Sequence, residues 1–295
     1  MTPTPLSLVK AWSSARQRLE AAGVDGPVID ARLLLEAAAD ATRTDIIADP
    51  HRLLTEAQAA TLEDYLTRRE AREPVSHILG RKGFWKIMLR VTPDVLTPRP
   101  DTESILDVVL ASFAEGRRFS VLDLGVGSGA ILLAILAERP LARGLGVDVS
   151  EEALAVARDN AASLGLEPRT ALLRGDWTWG LADGSFDLVV SNPPYIPTAD
   201  IDGLHPEVSV HEPRLALDGG ADGLDAYRQL APEILRVLRP GGQFAVEIGL
   251  GQKSAVEALF RAAGAVDVKT TRDLSDHDRV VAGFKKPLGN STQDR

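Results

Sequence analysis

Residues 121–136, Val-Leu-Asp-Leu-Gly-Val-Gly-Ser-Gly-Ala-Ile-Leu-Leu-Ala-Ile-Leu, leave few folds open to this chain. The first four are largely apolar without alternation, which marks a strand buried on both faces, and the apolar run from Ala130 continues as a helix. A buried strand that feeds a helix through a glycine loop belongs to an open α/β sheet, and such sheets bind ligands where their strands end. Gly125, Gly127 and Gly129 allow close backbone approach and direct the following helix N-terminus toward a ligand. The same spacing satisfies the dinucleotide fingerprint in its Gly-x-Gly-x-x-Ala form, so the glycines alone do not choose a cofactor. Asp123 helps to choose. A carboxylate two residues before the first glycine faces a pyrophosphate badly, and suits a ligand carrying an ammonium and a sulfonium, as S-adenosylmethionine does.

The next strand, 144–148, ends in Asp148, nineteen positions after Gly129, close to the spacing at which a carboxylate accepts hydrogen bonds from ribose hydroxyls. Ser150-x-x-Ala opens a helix, and 172–177 reads as a third strand with its exit. There Asp176 is a candidate for an adenine amino group and Trp177 for the ring face, although a Trp at a strand end is also a common core or rim residue.

The fourth buried run, 186–190, leads into Ser191-Asn-Pro-Pro-Tyr195. Two consecutive prolines fix φ and lack N–H groups, so the loop is stiff and its carbonyls stay free to accept hydrogen bonds. Asn192 offers a side-chain carbonyl, Pro193 a backbone carbonyl and Tyr195 a flat face, with Pro194 stiffening the turn between them. Together these suit a planar –NH2 group, on an amide or on a nucleobase. Upstream, Arg99 is held rigidly between two prolines and is a candidate substrate contact, while Asp101 and Glu103 suit the first turn of a helix. The long stretch 196–223, with three prolines, is expected to form a lid over substrate.

At 295 residues the chain is long for one domain. Helical spacing of Leu8, Trp12, Ala15, Leu19 and Ala22, a second run after Pro27, and Thr55-x-x-Gln58 in capping-box form predict an N-terminal helical domain over 1–73. A β-hairpin linker is expected over 74–95, the sheet domain over 96–286, and a disordered tail over 287–295. The helix over 224–238 contains Pro232 and is expected to break or kink near Leu230. Cysteine is absent, which removes disulfides and thiolate chemistry, and histidines 51, 77, 205, 211 and 277 lack metal-ligand spacing, so no metal is expected. Neither a signal segment nor a membrane-length apolar run is evident, and the expected location is the cytoplasm. Net charge of −9 and pI near 5.2 weigh against broad contact with nucleic acid, as do the nine basic against twelve acidic residues of 1–73.

These segments, in this order, resemble the S-adenosylmethionine-dependent methyltransferases with a Rossmann-like sheet. More narrowly, they resemble the family that N5-methylates glutamine in peptide-chain release factors. The resemblance runs from about Pro74 to Phe284 and rests on Pro98–Glu103, Asp123–Gly129, Asn192–Tyr195, Glu212-Pro213, Asp222–Leu224 and Glu247–Gly249. It departs at Val126, where the family more often has Thr. It implies an α/β fold with a small N-terminal helical domain and S-adenosylmethionine as cofactor. That cofactor would be held by Gly125, Val126, Gly127, Ser128, Gly129, Asp148, Trp177 and Asn192. The glutamine of a release factor's Gly-Gly-Gln loop would be held by Asn192 to Tyr195. Base methylation of adenine or cytosine in nucleic acid is the nearest alternative, since the same loop suits a flipped base. A nicotinamide-dependent oxidoreductase is opposed by Asp123 and by the lack of a hydride-transfer acid or base.

Overall fold

The computed structural model describes residues 6–288, and the chain divides into two compact units. One runs to Arg81 and takes in His205–His211, and the other comprises Lys82–Leu204 and the chain from Glu212 onward. The first five residues, read above for a signal segment, and the expected tail beyond Leu288 lie outside the described residues.

The first unit is helical: α1 (Leu8–Ala21), α2 (Pro27–Ala39), α3 (Arg43–Ala48), α4 (Glu56–Glu70), α5 (Val75–Leu79) and the short α9 (Pro206–Ser209). Leu8, Ala15 and Leu19 of α1 meet Ala31, Leu34 and Leu35 of α2 and Leu62 and Leu66 of α4 in one core, with Trp12 half-buried against it. The expected capping box opens α4, where the Thr55 hydroxyl accepts the Gln58 N–H at 3.2 Å and the Gln58 side chain accepts the Thr55 N–H at 3.0 Å. Glu207, just inside α9, receives the guanidinium groups of both Arg69 and Arg72 at 2.8 Å. That bond set joins a segment far along the sequence to the N-terminal helices.

The second unit opens, from Lys82, within the hairpin of β1 (Arg81–Phe84) and β2 (Ile87–Arg90), followed by α6 (Glu103–Ser112). Alternating strands and helices come next: β3 (Ser120–Leu124), α7 (Ala130–Glu138), β4 (Arg143–Asp148), α8 (Glu151–Ser163), β5 (Thr170–Arg174) and β6 (Phe186–Ser191). The chain then runs through α10 (Asp225–Val237), β7 (Leu238–Glu247), α11 (Lys253–Ala262), β8 (Ala265–Arg272) and β9 (Asp278–Lys285). The seven main strands lie in the order β5-β4-β3-β6-β7-β9-β8, parallel except for β9, which is antiparallel to both neighbours. Strand order reverses between β3 and β6, so the ends of these two strands flank the crevice where such sheets hold ligands.

Alternation of side chains divides the core between the two faces. Val121, Leu188, Val190 and Ala245 face the layer of α6, α7 and α8, while Leu122, Val189, Phe244 and Val246 face α10 and α11. Gly144 and Gly146 of β4 let the neighbouring layer close in. A Cβ on Gly144 would stand 2.3 Å from Leu132, and one on Gly146 would stand 2.7 Å from Val126.

The break expected near Leu230 is corrected here. α10 runs unbroken through Pro232, because Pro232 and Arg228 are both exposed. The carbonyl that loses its N–H partner therefore meets water instead of the core.

Candidate active site

A cavity of about 460 Å³ opens at the ends of β3, β4 and β6, within the second unit. Its floor is the glycine loop, and most of the loop's amides are already occupied. Gly125 and Val126 donate to the Val147 carbonyl at 2.9 and 3.0 Å, Gly127 donates to Asp148 Oδ2 at 2.9 Å, and Gly129 donates to the Val126 carbonyl at 2.8 Å. A loop so engaged offers little to an anion. It is shaped by left-handed φ at all three glycines and pinned to β4 by Asp148, whose other oxygen accepts the Ser150 N–H at 3.0 Å. Gly125, Val126, Gly127, Ser128, Asp148, Asp176 and Trp177 all line the cavity. The Trp177 indole donates to Gln229 Oε1 at 3.1 Å, and its ring edge lies 3.8 Å from where a Cβ on Gly125 would sit. Val126 turns its side chain into the core, 4% exposed.

Asp123 and Gly129 stand apart from the cavity wall. Gly129 is the N-cap of α7. Asp123 is buried beneath the loop, where Oδ2 accepts the Leu132 N–H at 3.1 Å inside the first turn of α7 and Oδ1 has no partner. Burial raises its pKa to about 8, with the charge of Asp148 adding to the rise against the Leu132 hydrogen bond. The carboxyl therefore braces the start of α7 against β3.

At the end of β6, Asn192 and Pro194 line the cavity, while Pro193 is buried and Tyr195 turns away from the wall. Asn192 Nδ2 donates to the Thr102 hydroxyl at 3.2 Å, which leaves Oδ1 as the free end of the amide and an acceptor. Tyr195 donates its hydroxyl to Glu247 Oε1 at 3.1 Å, and its own carbonyl accepts from Gln252 at 2.9 Å. Burial, reinforced by Glu247, lifts the phenol well above its ordinary pKa. The backbone of Tyr195 is also gripped by two glycines. A Cβ on Gly219 would stand 2.8 Å from the Tyr195 Cα, and one on Gly223 would stand 2.3 Å from its carbonyl oxygen.

Arg99 also lines the cavity and pairs with Glu212 at 2.6 Å. The Glu212 side chain is 1% exposed and also accepts the Thr97 N–H at 3.3 Å. Burial raises the Glu212 pKa, and the charge of Arg99 opposes the rise.

Thr102 and Glu247 carry parts of this site that spacing did not single out. Glu247 ends β7 after the apolar run Phe244-Ala245-Val246, and an acid closing an otherwise apolar strand was the available signal. It is 1% exposed, and burial raises its pKa to about 6, restrained by the Thr102 hydroxyl and the Arg279 guanidinium.

A parallel sheet closed by one antiparallel strand, with a ligand-sized cavity on its glycine loop at the switch point, defines the Rossmann-like methyltransferase class. The family model described as a methyltransferase domain matches residues 116–269, and that of the PrmC N-terminal domain matches residues 10–80. The chain belongs to the release factor glutamine methyltransferases. It is 70% identical to the Caulobacter vibrioides enzyme of that name over 283 residues, 96% of this chain and 98% of the other. It is 47% identical to the one from Rhodospirillum rubrum, over 92% of this chain and 83% of the other. Among solved structures, a T. thermophilus 16S rRNA methyltransferase in complex with AdoMet and guanosine aligns over 70% of this chain and 50% of its own. The TM-score is 0.50 at 22% identity, a likeness of fold.

Proposed function

We propose that this chain transfers a methyl group from S-adenosylmethionine to the side-chain amide nitrogen (N5) of the glutamine in the Gly-Gly-Gln loop of peptide-chain release factors, in the cytoplasm. The observation that carries the reading is the amide of Asn192. Its Nδ2 is committed to Thr102, so Oδ1 is available to accept from an –NH2 group at the edge of the cavity.

The residues present fit the cofactor. With four loop amides turned inward, the cavity floor suits a ligand that brings no phosphate. Asp148 would accept the ribose hydroxyls, Asp176 the adenine amino group, and Trp177 would flank the ring. When bound, S-adenosylmethionine supplies an electrophilic methyl group on a sulfonium.

An amide nitrogen is a weak nucleophile because its lone pair is delocalised into the carbonyl, so the protein's task is orientation. Asn192 Oδ1 and the Pro193 carbonyl would accept the two N–H bonds of the glutamine side chain and point its nitrogen lone pair at the methyl carbon. Arg99, fixed by Glu212, stands ready for a polar group of the approaching loop. No side chain need act as base before the transfer, because taking the methyl group leaves the amide nitrogen cationic, and this strongly acidic intermediate loses its proton to water to give the neutral N-methylated product.

Radiolabelled S-adenosylmethionine incubated with a release factor, with the same factor carrying alanine for the loop glutamine, and with DNA tests the reading. Label on the intact factor alone is expected, and label on DNA would replace the reading with base methylation. Asn192→Ala should lower the rate of transfer by about a hundredfold, the scale of losing one oriented polar contact to the reacting group.

A further inference from the structure

We propose that Gln252 is a positioning residue for methyl transfer: its side-chain amide fixes the exit of the Asn192–Tyr195 loop, and with it the direction of the Pro193 carbonyl. The inference rests on the acceptor role given above to that carbonyl and to Asn192.

The prolines leave this loop to be held by its ends. Pro193 and Pro194 have no N–H to donate, and with φ fixed in both rings the remaining freedom lies in ψ and in the flanking residues. At the entry, the Ser191 hydroxyl donates to the Leu124 carbonyl at 2.7 Å and Asn192 donates to Thr102. At the exit stands Tyr195, gripped by Gln252. Gln252 Nε2 donates to the Tyr195 carbonyl at 2.9 Å and to the Gly223 carbonyl at 3.1 Å, while Oε1 accepts the Gly249 N–H at 2.9 Å. Two acceptors at one end of the amide and a donor at the other permit only this orientation. Close packing reinforces it. A Cβ on Gly223 would stand 2.7 Å from Gln252 Nε2, and one on Gly249 would stand 3.0 Å from both Gln252 Oε1 and the Tyr195 ring.

Gln252 is itself firmly placed. It is the N-cap of α11, which is seated on the sheet by the buried Val256 and Phe260, and the Phe260 ring stacks on Phe244 of β7 with centroids 4.1 Å apart. The amide therefore ties the loop exit to the packed core. Asp222–Leu224 and Glu247–Gly249 do not line the cavity, yet Gln252 bonds a glycine of each and joins both segments to the loop. The peptide unit that Gln252 holds by its carbonyl also donates through the Ile196 N–H to the Leu217 carbonyl at 3.0 Å, and the Ile196 carbonyl accepts the Gly219 N–H at 2.8 Å. Release of this peptide lets the loop turn, and a shift on the order of 1 Å at a reacting group costs about a hundredfold in rate.

The test compares wild type, Gln252→Glu and Gln252→Met as full chains with a release factor and radiolabelled S-adenosylmethionine. Gln252→Glu can still accept the Gly249 N–H but sets a carboxylate against two carbonyls, whereas Gln252→Met keeps the length and loses all three bonds. Both should lower kcat by at least about tenfold, Gln252→Glu no less than Gln252→Met. The Kd for S-adenosylmethionine, and the amount bound per chain, should be little changed, because Asp148, Asp176 and Trp177 lie outside the loop. Amide exchange followed by NMR should quicken at Ile196 and Gly219 and stay unchanged over 125–129. Gln252→Glu with wild-type kcat would overturn the inference, since the bond to Gly249 alone would then suffice. So would unchanged exchange at Ile196, or a fall in kcat matched by a fall in the S-adenosylmethionine bound per chain, which would mean general support of the fold. A wild type that leaves the release factor unlabelled would instead overturn the functional reading, and exchange at Ile196 would then decide whether Gln252 holds the loop.

Discussion

Gly127 and Gly129 look alike in the sequence, yet they carry different demands. Both are left-handed, at φ of 53° and 84°. A Cβ on Gly127 would meet only the Gly125 carbonyl at 4.0 Å, whereas one on Gly129 would press to 2.8 Å on Leu133 inside the packed face of α7. Gly127→Ala should therefore cost about 1 kcal/mol of backbone strain, and Gly129→Ala about 3 kcal/mol once overpacking is added. Urea denaturation midpoints of the two variants check the order. The need for glycine at both positions was legible from the motif. That Gly219 and Gly223 grip Tyr195 was not, because the contact joins residues more than twenty positions apart.

At the scale of elements, α7 shows how a hydrophobic helix is closed off. Ala130 through Leu136 are all buried, since α7 is covered by α6 and α8 as well as by the sheet. Its C-terminal carbonyls are met by a residue from another element. Arg169, just before β5, donates to the carbonyls of Leu136, Arg139 and Ala142 at 2.8, 3.1 and 3.0 Å. Arg169→Met keeps the bulk but strands these acceptors, and should destabilise the unit by about 2 kcal/mol in equilibrium unfolding. The strands and helices of the sheet were readable from apolar runs and capping residues such as Ser150, whose hydroxyl accepts the Ala153 N–H at 3.0 Å. Pro232 misled, because whether a proline breaks a helix depends on which side of the helix the orphaned carbonyl faces. Only the packing of α10 determines that.

At the scale of the whole molecule, the stretch 196–223 is not one piece. His205–His211 belongs with the N-terminal helices and the remainder with the sheet, so the chain passes three times between the two units. Glu207 holds the segment within its unit. Its pKa is lowered to about 2, the hydrogen bonds from Arg72 and Arg69 outweighing the effect of burial. A lowered carboxylate stabilises at pH above its unfolded value and loses that contribution as pH falls through the folded one, so attachment should weaken between the ordinary glutamate range and about pH 2. Glu207→Gln should mimic the acid state at neutral pH. Faster amide exchange over 205–211, with protection of α10 unchanged, is the expected result by mass spectrometry.

The sequence alone determined that a glycine loop follows a buried strand, that an Asn-Pro-Pro-Tyr turn follows another, and that helices precede them. These are local matters of apolar period, fixed φ and missing N–H groups, and each is carried by neighbouring residues. Tertiary structure alone decided that Asp123 braces a helix, that Tyr195 leans on Glu247, and that Asn192 presents its oxygen to the cavity. Each of these depends on a hydrogen-bond partner dozens of positions away or on a depth of burial that sets a carboxyl's charge. Such partners are chosen only when strands and helices distant in sequence pack side by side.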